Sequence, residues 1–421
     1  MTWHSVGKSE IRVDGKSKVT GAALYSEDFQ MEGMAFGRTL RSDRPHAYFQ
    51  LETEKAKRMP GVLKIFTAAD VPHNAHGVLL KDHEVFCEKK VRRIGDPLAF
   101  LVATTEKEAE AALKAIKVTY QDLPAVFDPE EALQPEAPLI HEKGNLVYHF
   151  KLRKGNSETG FSQSHAIVEE TYRTPMVDHA FLQPEAGIAY PENQRIVVCA
   201  ANQYPHFDQL EIAEALQLPA ESVKVINPAV GGAFGGREDV TMQIHLALAA
   251  QRLQRPVKTV YSRQESFYAH SKRHAMIMRL KTGADEKGHL KALEATIYSD
   301  TGAYASWAIN VLRKAGVHAT GPYVIPHVKI DGYSAYTNNP FAGAMRGFGA
   351  AQIPIAHEGQ MDALAEKLGI SPIEIRLKNA FRPGDHTATG QRLKESVPFV
   401  ECLQAVSSAM NWEESKQEVA K

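Results

Sequence analysis

The chain has 421 residues, of which 43% are hydrophobic and 24% charged, with a formal net charge of −1. That length exceeds what one hydrophobic core serves, so two or three domains are expected, and the near-zero charge leaves no footprint for nucleic acid or an anionic membrane. No apolar run reaches the roughly 18 residues of a membrane span, the polar start lacks the apolar core of a secretory signal, and three scattered cysteines (Cys87, Cys199, Cys402) form neither a disulfide framework nor a Cys-x-x-Cys site, which points to a cytoplasmic protein.

In chain order, "MAFGRTLRS", "VLKIFTAA" and "PLAFLVAT" read as strands. "TEKEAEAALKAIKV" is the clearest helix, with Thr105 as N-cap, Glu108 completing a capping box, and Ala111, Ala112, Ala115 and Ile116 as its apolar face. The proline-rich, acidic "DPEEALQPEAP" reads as a linker. "SVKVINPA" is strand-like, and "VTMQIHLALAAQRL" reads as a helix. "HAMIMRLKTGADEKGHLKALEATIYSD" reads as a hairpin turning at Asp285–Gly288, and "AQIPIAHEGQMDALAEKLG" as a helix closed by Gly369. The final "ESKQEVAK" is expected to be a solvated tail. Strands and helices do not alternate regularly, so the fold class is α+β rather than a doubly wound sheet.

Two stretches carry chemistry. Between the "SVKVINPA" strand and the helix after it lies "VGGAFGGRED" (Val230–Asp239). Such a glycine-rich turn lets backbone N–H groups approach an anion. It is not a dinucleotide fingerprint, because Ala233 stands where the second glycine belongs. It is not a phosphate loop either, because Arg237 and Glu238 replace the lysine and hydroxyl that chemistry needs. The second stretch, "NNPFAGAMRGFGAAQ", again sets a phenylalanine, Phe348, between glycines and after an arginine, Arg346. Glycines beside an aromatic ring clear its face for a flat ligand. Each loop alone reads equally well as a turn around a core phenylalanine; the pair favours a binding role. His179, His206 and His357 show no metal-ligand spacing and read as structural. No serine-nucleophile signature is present.

Together these stretches resemble the molybdenum-binding subunit of the xanthine dehydrogenase and aldehyde oxidase family. "GGAFGGRE" resembles the family's Gly-Gly-x-Phe-Gly-Gly-Lys-Glu and "AMRGFG" its Ala-Phe-Arg-Gly-Phe-Gly. "ANQYPH", "SDTGAYAS" and "EIRLKNAFRPGD" through "TGQRL" extend the likeness over nearly the whole chain from about Val13. The resemblance implies an a/b hammerhead domain over 13–127, a linker over 128–140, the first molybdopterin-binding domain over 141–385, and a segment over 386–421 leading toward a second domain. It implies that Gly232 and the backbone of Phe234 and Gly235 approach the metal's ligands, that Gln203 hydrogen-bonds an oxo ligand, and that the main chain at Arg346 and Gly347 reaches the same cofactor. Phe348 would contact the substrate ring and Glu238 would hydrogen-bond it. Glu238 also suits the start of the helix that follows, where a carboxylate is favourable. Lys314 falls where purine-hydroxylating members carry an arginine, with Arg313 beside it as the other cation.

The resemblance also implies what other chains would supply. These are a second molybdopterin-domain subunit with the catalytic glutamate, a [2Fe–2S] subunit and an FAD subunit. The molybdenum–molybdopterin, in its cytosine dinucleotide form, would be shared with a partner. This layout resembles the split nicotinate dehydrogenases; a piece of a longer chain is the alternative. The expected reaction is hydroxylation of a carbon beside nitrogen in a purine or related N-heteroaromatic, with nicotinate as the alternative substrate. A non-catalytic scaffold subunit is the rival from another class.

Overall fold

The computed structural model describes residues 3–412, so the "ESKQEVAK" tail lies outside the described residues. Among these residues the chain forms two compact units. The first takes residues 3–77, Lys81–Leu123 and His179–His270; the second takes Val78–Leu80, Pro124–Asp178 and residues 271–412.

The first unit is built on a seven-stranded mixed sheet in the order Val223–Ile226, Arg195–Ala200, Ala186–Glu192, Val257–Val260, Ala35–Arg41, Pro97–Ala103 and Val62–Phe66. The three N-terminal strands read from sequence therefore continue a sheet begun by residues more than eighty positions later. The seam is a parallel pairing of Ala35 with Val257. Pro97–Ala103 is buried along nearly its whole length, as expected of a strand covered on both faces. A small sheet of Lys90–Val91, Ala47–Glu52 and Lys117–Asp122 completes the unit's strands.

The helix Glu106–Leu113 begins as read: the Thr105 hydroxyl accepts from Glu108 N–H, and the Glu108 carboxylate accepts from the Thr104 and Thr105 hydroxyls. Its apolar face differs from the expectation. Ala109, Ala112 and Ile116 are buried, whereas Ala111 is exposed. Spacings of three and four residues stay on one face, and Ala111 falls off that stripe. The helix also ends before Ala115 and Ile116.

The second unit carries a five-stranded sheet ordered Leu146–Lys154, His327–Tyr336, Leu290–Gly302, Met276–Ala284 and Ala166–Thr174. The hairpin forms as expected, with Met276–Ala284 antiparallel to Leu290–Gly302 and Gly288 in the left-handed region at the turn. The helices Ala308–Val317 and Pro354–Leu368 bury Val311, Leu312, Met361 and Leu364 in the unit's main core. Gly369 closes the second of them with φ 67°. The proline-rich 128–138 stretch is packed rather than free: Ala132 is buried, and Asn145 donates to the carbonyls of Ala132 and Pro138. Beyond residue 386 the helix Phe399–Ala409 has no buried residue.

Candidate functional site

The predicted site residues divide between the two units. Gln203, Gly232, Phe234, Gly235 and Glu238 lie in the first, and Arg313, Lys314, Arg346, Gly347 and Phe348 in the second.

In the first unit the glycine loop follows the strand Val223–Ile226, but the next helix starts only at Gln243. The Gln243 side chain explains the late start: its Oε1 accepts from the N–H groups of Thr241 (2.8 Å) and Met242 (2.9 Å), donors that a longer helix would have used. Glu238 therefore precedes the helix by more than a turn and does not cap it.

The loop folds on itself and onto Gln203. Gln203 Oε1 accepts from the N–H groups of Gly235 (2.9 Å) and Arg237 (3.3 Å), and Gln203 N–H donates to the Arg237 carbonyl (2.9 Å). Two N–H groups on Oε1 fix the amide's orientation, so its Nε2 is the end left to donate outward. Gly235 N–H is thus committed to Gln203, whereas the N–H groups of Ala233 and Phe234 take no partner among the described residues. Phe234 sits in the left-handed region (φ 54°) with its ring half exposed, a conformation that costs a non-glycine residue of order 1 kcal/mol or more and persists where surrounding bonds impose it. Gln183 braces the loop from the other side: its Oε1 holds Gly231 N–H at 2.9 Å, while its Nε2 is buried without a partner.

Glu238 is half-buried. Burial, then the neighbouring Asp239, push its carboxyl up to about 7, so near neutral pH it is available both as acid and as carboxylate.

Arg237 is the residue that sequence reasoning passed over. It is 4% exposed, donates from Nε to the Gly232 carbonyl (2.9 Å) and from Nη2 to the Gln183 carbonyl, and lies 4.1 Å over the Phe181 ring. Its departure from the lysine of the pattern this loop resembles was the signal that could have found it.

In the second unit Phe348 repeats the backbone of Phe234, with φ 52°. Its half-buried ring meets Trp307 edge-on at 5.8 Å and packs on the unit's core. Gly349 is required by close approach, because a Cβ there would come within 2.2 Å of the Val311 carbonyl oxygen in the helix Ala308–Val317. The Arg346 side chain is exposed, and its carbonyl accepts from Arg273 Nη2 (2.9 Å), which leaves the N–H side of that peptide for a ligand. Arg313 and Lys314 are both exposed on that helix.

The donor set fits an acceptor-rich anionic group: two backbone N–H groups and the Gln203 amide, with no carboxylate inside the loop's own bonds. Among the described residues no cluster of histidine, cysteine or acidic side chains is built to ligate a metal directly. What this loop can hold is a cofactor that brings its own ligands.

Comparison with known proteins agrees. A family model for the molybdopterin cofactor-binding domain matches residues 140–380, and one for the aldehyde oxidase and xanthine dehydrogenase a/b hammerhead domain matches residues 20–124. The nicotinate dehydrogenase large molybdopterin subunit of Eubacterium barkeri is 40% identical, over 95% of this chain and 95% of its own. The xanthine dehydrogenase molybdenum-binding subunit of Escherichia coli is 34% identical over 97% of this chain, but only 56% of its own length is covered. The aldehyde oxidoreductase from Desulfovibrio gigas superposes with a TM-score of 0.92 at 28% identity, over 97% of this chain and 47% of that one. The chain thus spans nearly the whole of one relative and about half of the others, and it belongs to the aldehyde oxidase and xanthine dehydrogenase family, of which it carries the hammerhead and molybdopterin cofactor-binding domains.

Proposed function

We propose that this chain is the large molybdopterin subunit of a split molybdenum hydroxylase that oxidises a carbon adjacent to nitrogen in an N-heteroaromatic ring. Purines of the xanthine type are the leading substrate class. Nicotinate is the second reading, favoured by the relative of equal length. The cofactor, in its cytosine dinucleotide form, would be shared with a second molybdopterin-domain subunit carrying the catalytic glutamate. Iron–sulfur and FAD subunits would carry electrons onward in the cytoplasm.

When bound, the molybdenum centre supplies the two-electron redox couple for oxidation of the carbon. The chain's own residues bind and orient. The outward Nε2 of Gln203 and the N–H groups of Ala233 and Phe234 hold the cofactor's acceptor atoms. Phe348 offers a ring face to a flat substrate. Glu238 engages the ring nitrogen or oxygen, and Lys314 steadies the negative charge that gathers on the ring as the carbon is attacked. Preorganised groups aimed at developing charge are often the largest catalytic contribution.

The observation that carries the substrate class is Glu238, half-buried and held at about 7 beside a donor-lined loop. An aldehyde needs no such group. The assembled complex, assayed with a purine, nicotinate and an aromatic aldehyde, tests the reading. Turnover of a heterocycle that falls sharply in Glu238→Gln while the aldehyde is spared supports it. Turnover of aldehydes alone contradicts it.

A further inference from the structure

The glycine loop of the first unit is backed by a buried column. The guanidinium of Arg237 lies 4.1 Å over Phe181, and the Phe181 ring lies 4.7 Å from that of His270 at 39°. His270 Nδ1 is 2.9 Å from the Glu185 carboxylate. Gly236 rests directly on this column: a Cβ there would come within 2.9 Å of the His179 ring and 3.0 Å of the Phe181 ring. The loop cannot slide inward, and Arg237 decides how its peptides face.

Arg237 Nε takes the Gly232 carbonyl from the buried side, at 2.9 Å. In a planar trans peptide the C=O and the following N–H point in opposite directions. The Ala233 N–H is therefore aimed away from the column. A second bond, from Nη2 to the Gln183 carbonyl, ties the neighbouring segment, whose Gln183 Oε1 holds Gly231 N–H. The guanidinium also leaves a cation at 4% exposure behind the loop, where a charge acts through low dielectric and adds to the field of the N–H dipoles.

We propose that Arg237 is a positioning residue: it aims the Ala233 N–H at an anionic acceptor of the bound cofactor and places a positive charge behind it, raising the cofactor's reduction potential. The proposal rests on the reading that this loop holds the molybdenum cofactor. Lysine would keep the charge but lacks the planar fork that reaches two carbonyls while stacking on a ring.

The test uses the assembled complex and two readouts besides activity: molybdenum per complex by elemental analysis, and the midpoint potential from an EPR-monitored redox titration. Arg237→Gln removes the cation, so the potential should fall and molybdenum content drop several-fold. Arg237→Lys should keep a near-native potential with a smaller loss of molybdenum. A merely structural role would lower the melting temperature of both without separating their potentials. Native potential and native molybdenum in Arg237→Gln overturn the proposal. Should Arg237→Gln not fold, Phe181→Leu and Arg237→Lys decide it, since both keep the charge. Both should hold the potential while losing molybdenum, and a native molybdenum content in the pair overturns the clamp. Gln203→Glu separates this from the underlying reading, because it keeps an acceptor for Gly235 N–H but replaces the outward donor with a negative charge. If Gln203→Glu leaves both readouts native, the loop is not the cofactor site. If it changes them and Arg237→Gln does not, the role of Arg237 alone is wrong.

Discussion

Gln203 accepts the N–H of Gly235 at 2.9 Å, and this side chain pins one side of the glycine loop. The bond, with the companion from Arg237 N–H, satisfies one end of the amide and exposes the other. Gln203→Ala frees two loop N–H groups, and at an exposed position the cost is a net hydrogen bond or so, about 1 kcal/mol. Hydrogen exchange should therefore quicken at Gly235 and Arg237 while global stability falls only slightly. Unchanged exchange at both amides would show that the loop holds its shape without Gln203.

Phe348 tests the second loop. Its ring is half-buried against Trp307, so truncation removes packing as well as the proposed substrate platform. Phe348→Ala should cost about 1–2 kcal/mol, less than the 3–5 of a fully buried phenylalanine. Misplacing a substrate by about 1 Å can cost on the order of a hundredfold in rate. The variant should fold, retain molybdenum and lose far more turnover than stability, as chemical denaturation and steady-state assays would show. Native specific activity in the folded fraction would make Phe348 a core residue only.

The same residues show what a sequence can and cannot reveal. Thr105 with Glu108, the turn at Gly288 and the cap at Gly369 were legible because each is settled within a few residues. The pairing of Ala35 with Val257 was not, because no local pattern marks which strand will be its neighbour. Ala111 was misplaced because, in an alanine-rich helix, Ala109, Ala111 and Ala112 look alike until packing chooses among them. The glycine loops were legible as motifs. The column of Arg237, Phe181, His270 and Glu185 was not, since its members meet only in three dimensions.

Glu238 makes stability depend on pH with a definite sign. Burial, then Asp239, raise its folded carboxyl to about 7 from the ordinary value near 4.5. Between those limits the folded state binds more protons than the unfolded one, so stability declines as pH rises from about 4.5 to about 7 and then levels. Solvent screening at this half-buried site limits the effect to roughly 1 kcal/mol. Asp208, also pushed up to about 7 chiefly by burial, acts in the same direction. Comparison with Glu238→Gln isolates the first: the variant should gain on the parent between pH 5 and pH 8 in urea denaturation. A constant difference across that range would remove the titration from Glu238.

The helix Ala308–Val317 separates the two cations proposed to serve the substrate. Gly349 lies against Val311 and Ala315. At 3.6 residues per turn Lys314 is about 60° from Val311, whereas Arg313 is about 160° away. Lys314 is therefore on the side of the Phe348 loop and Arg313 is not. Lys314→Met should lower kcat/KM for a heterocycle about tenfold to a few hundredfold, as befits loss of a charge-assisted contact worth roughly 1.5–3 kcal/mol. It should spare an aromatic aldehyde. Arg313→Met should leave both substrates nearly unaffected. Equal losses on both substrates in Lys314→Met would assign that side chain to the fold or the cofactor.

We propose above that this chain holds a molybdenum cofactor completed by a second molybdopterin-domain subunit. Molybdenum content per chain, measured after purification with that subunit and again without it, tests it most directly. Stoichiometric molybdenum is expected in the assembled complex and little in the chain expressed alone. An assembled complex free of molybdenum would contradict it and leave the rival reading, a scaffold that kept the fold and lost the cofactor.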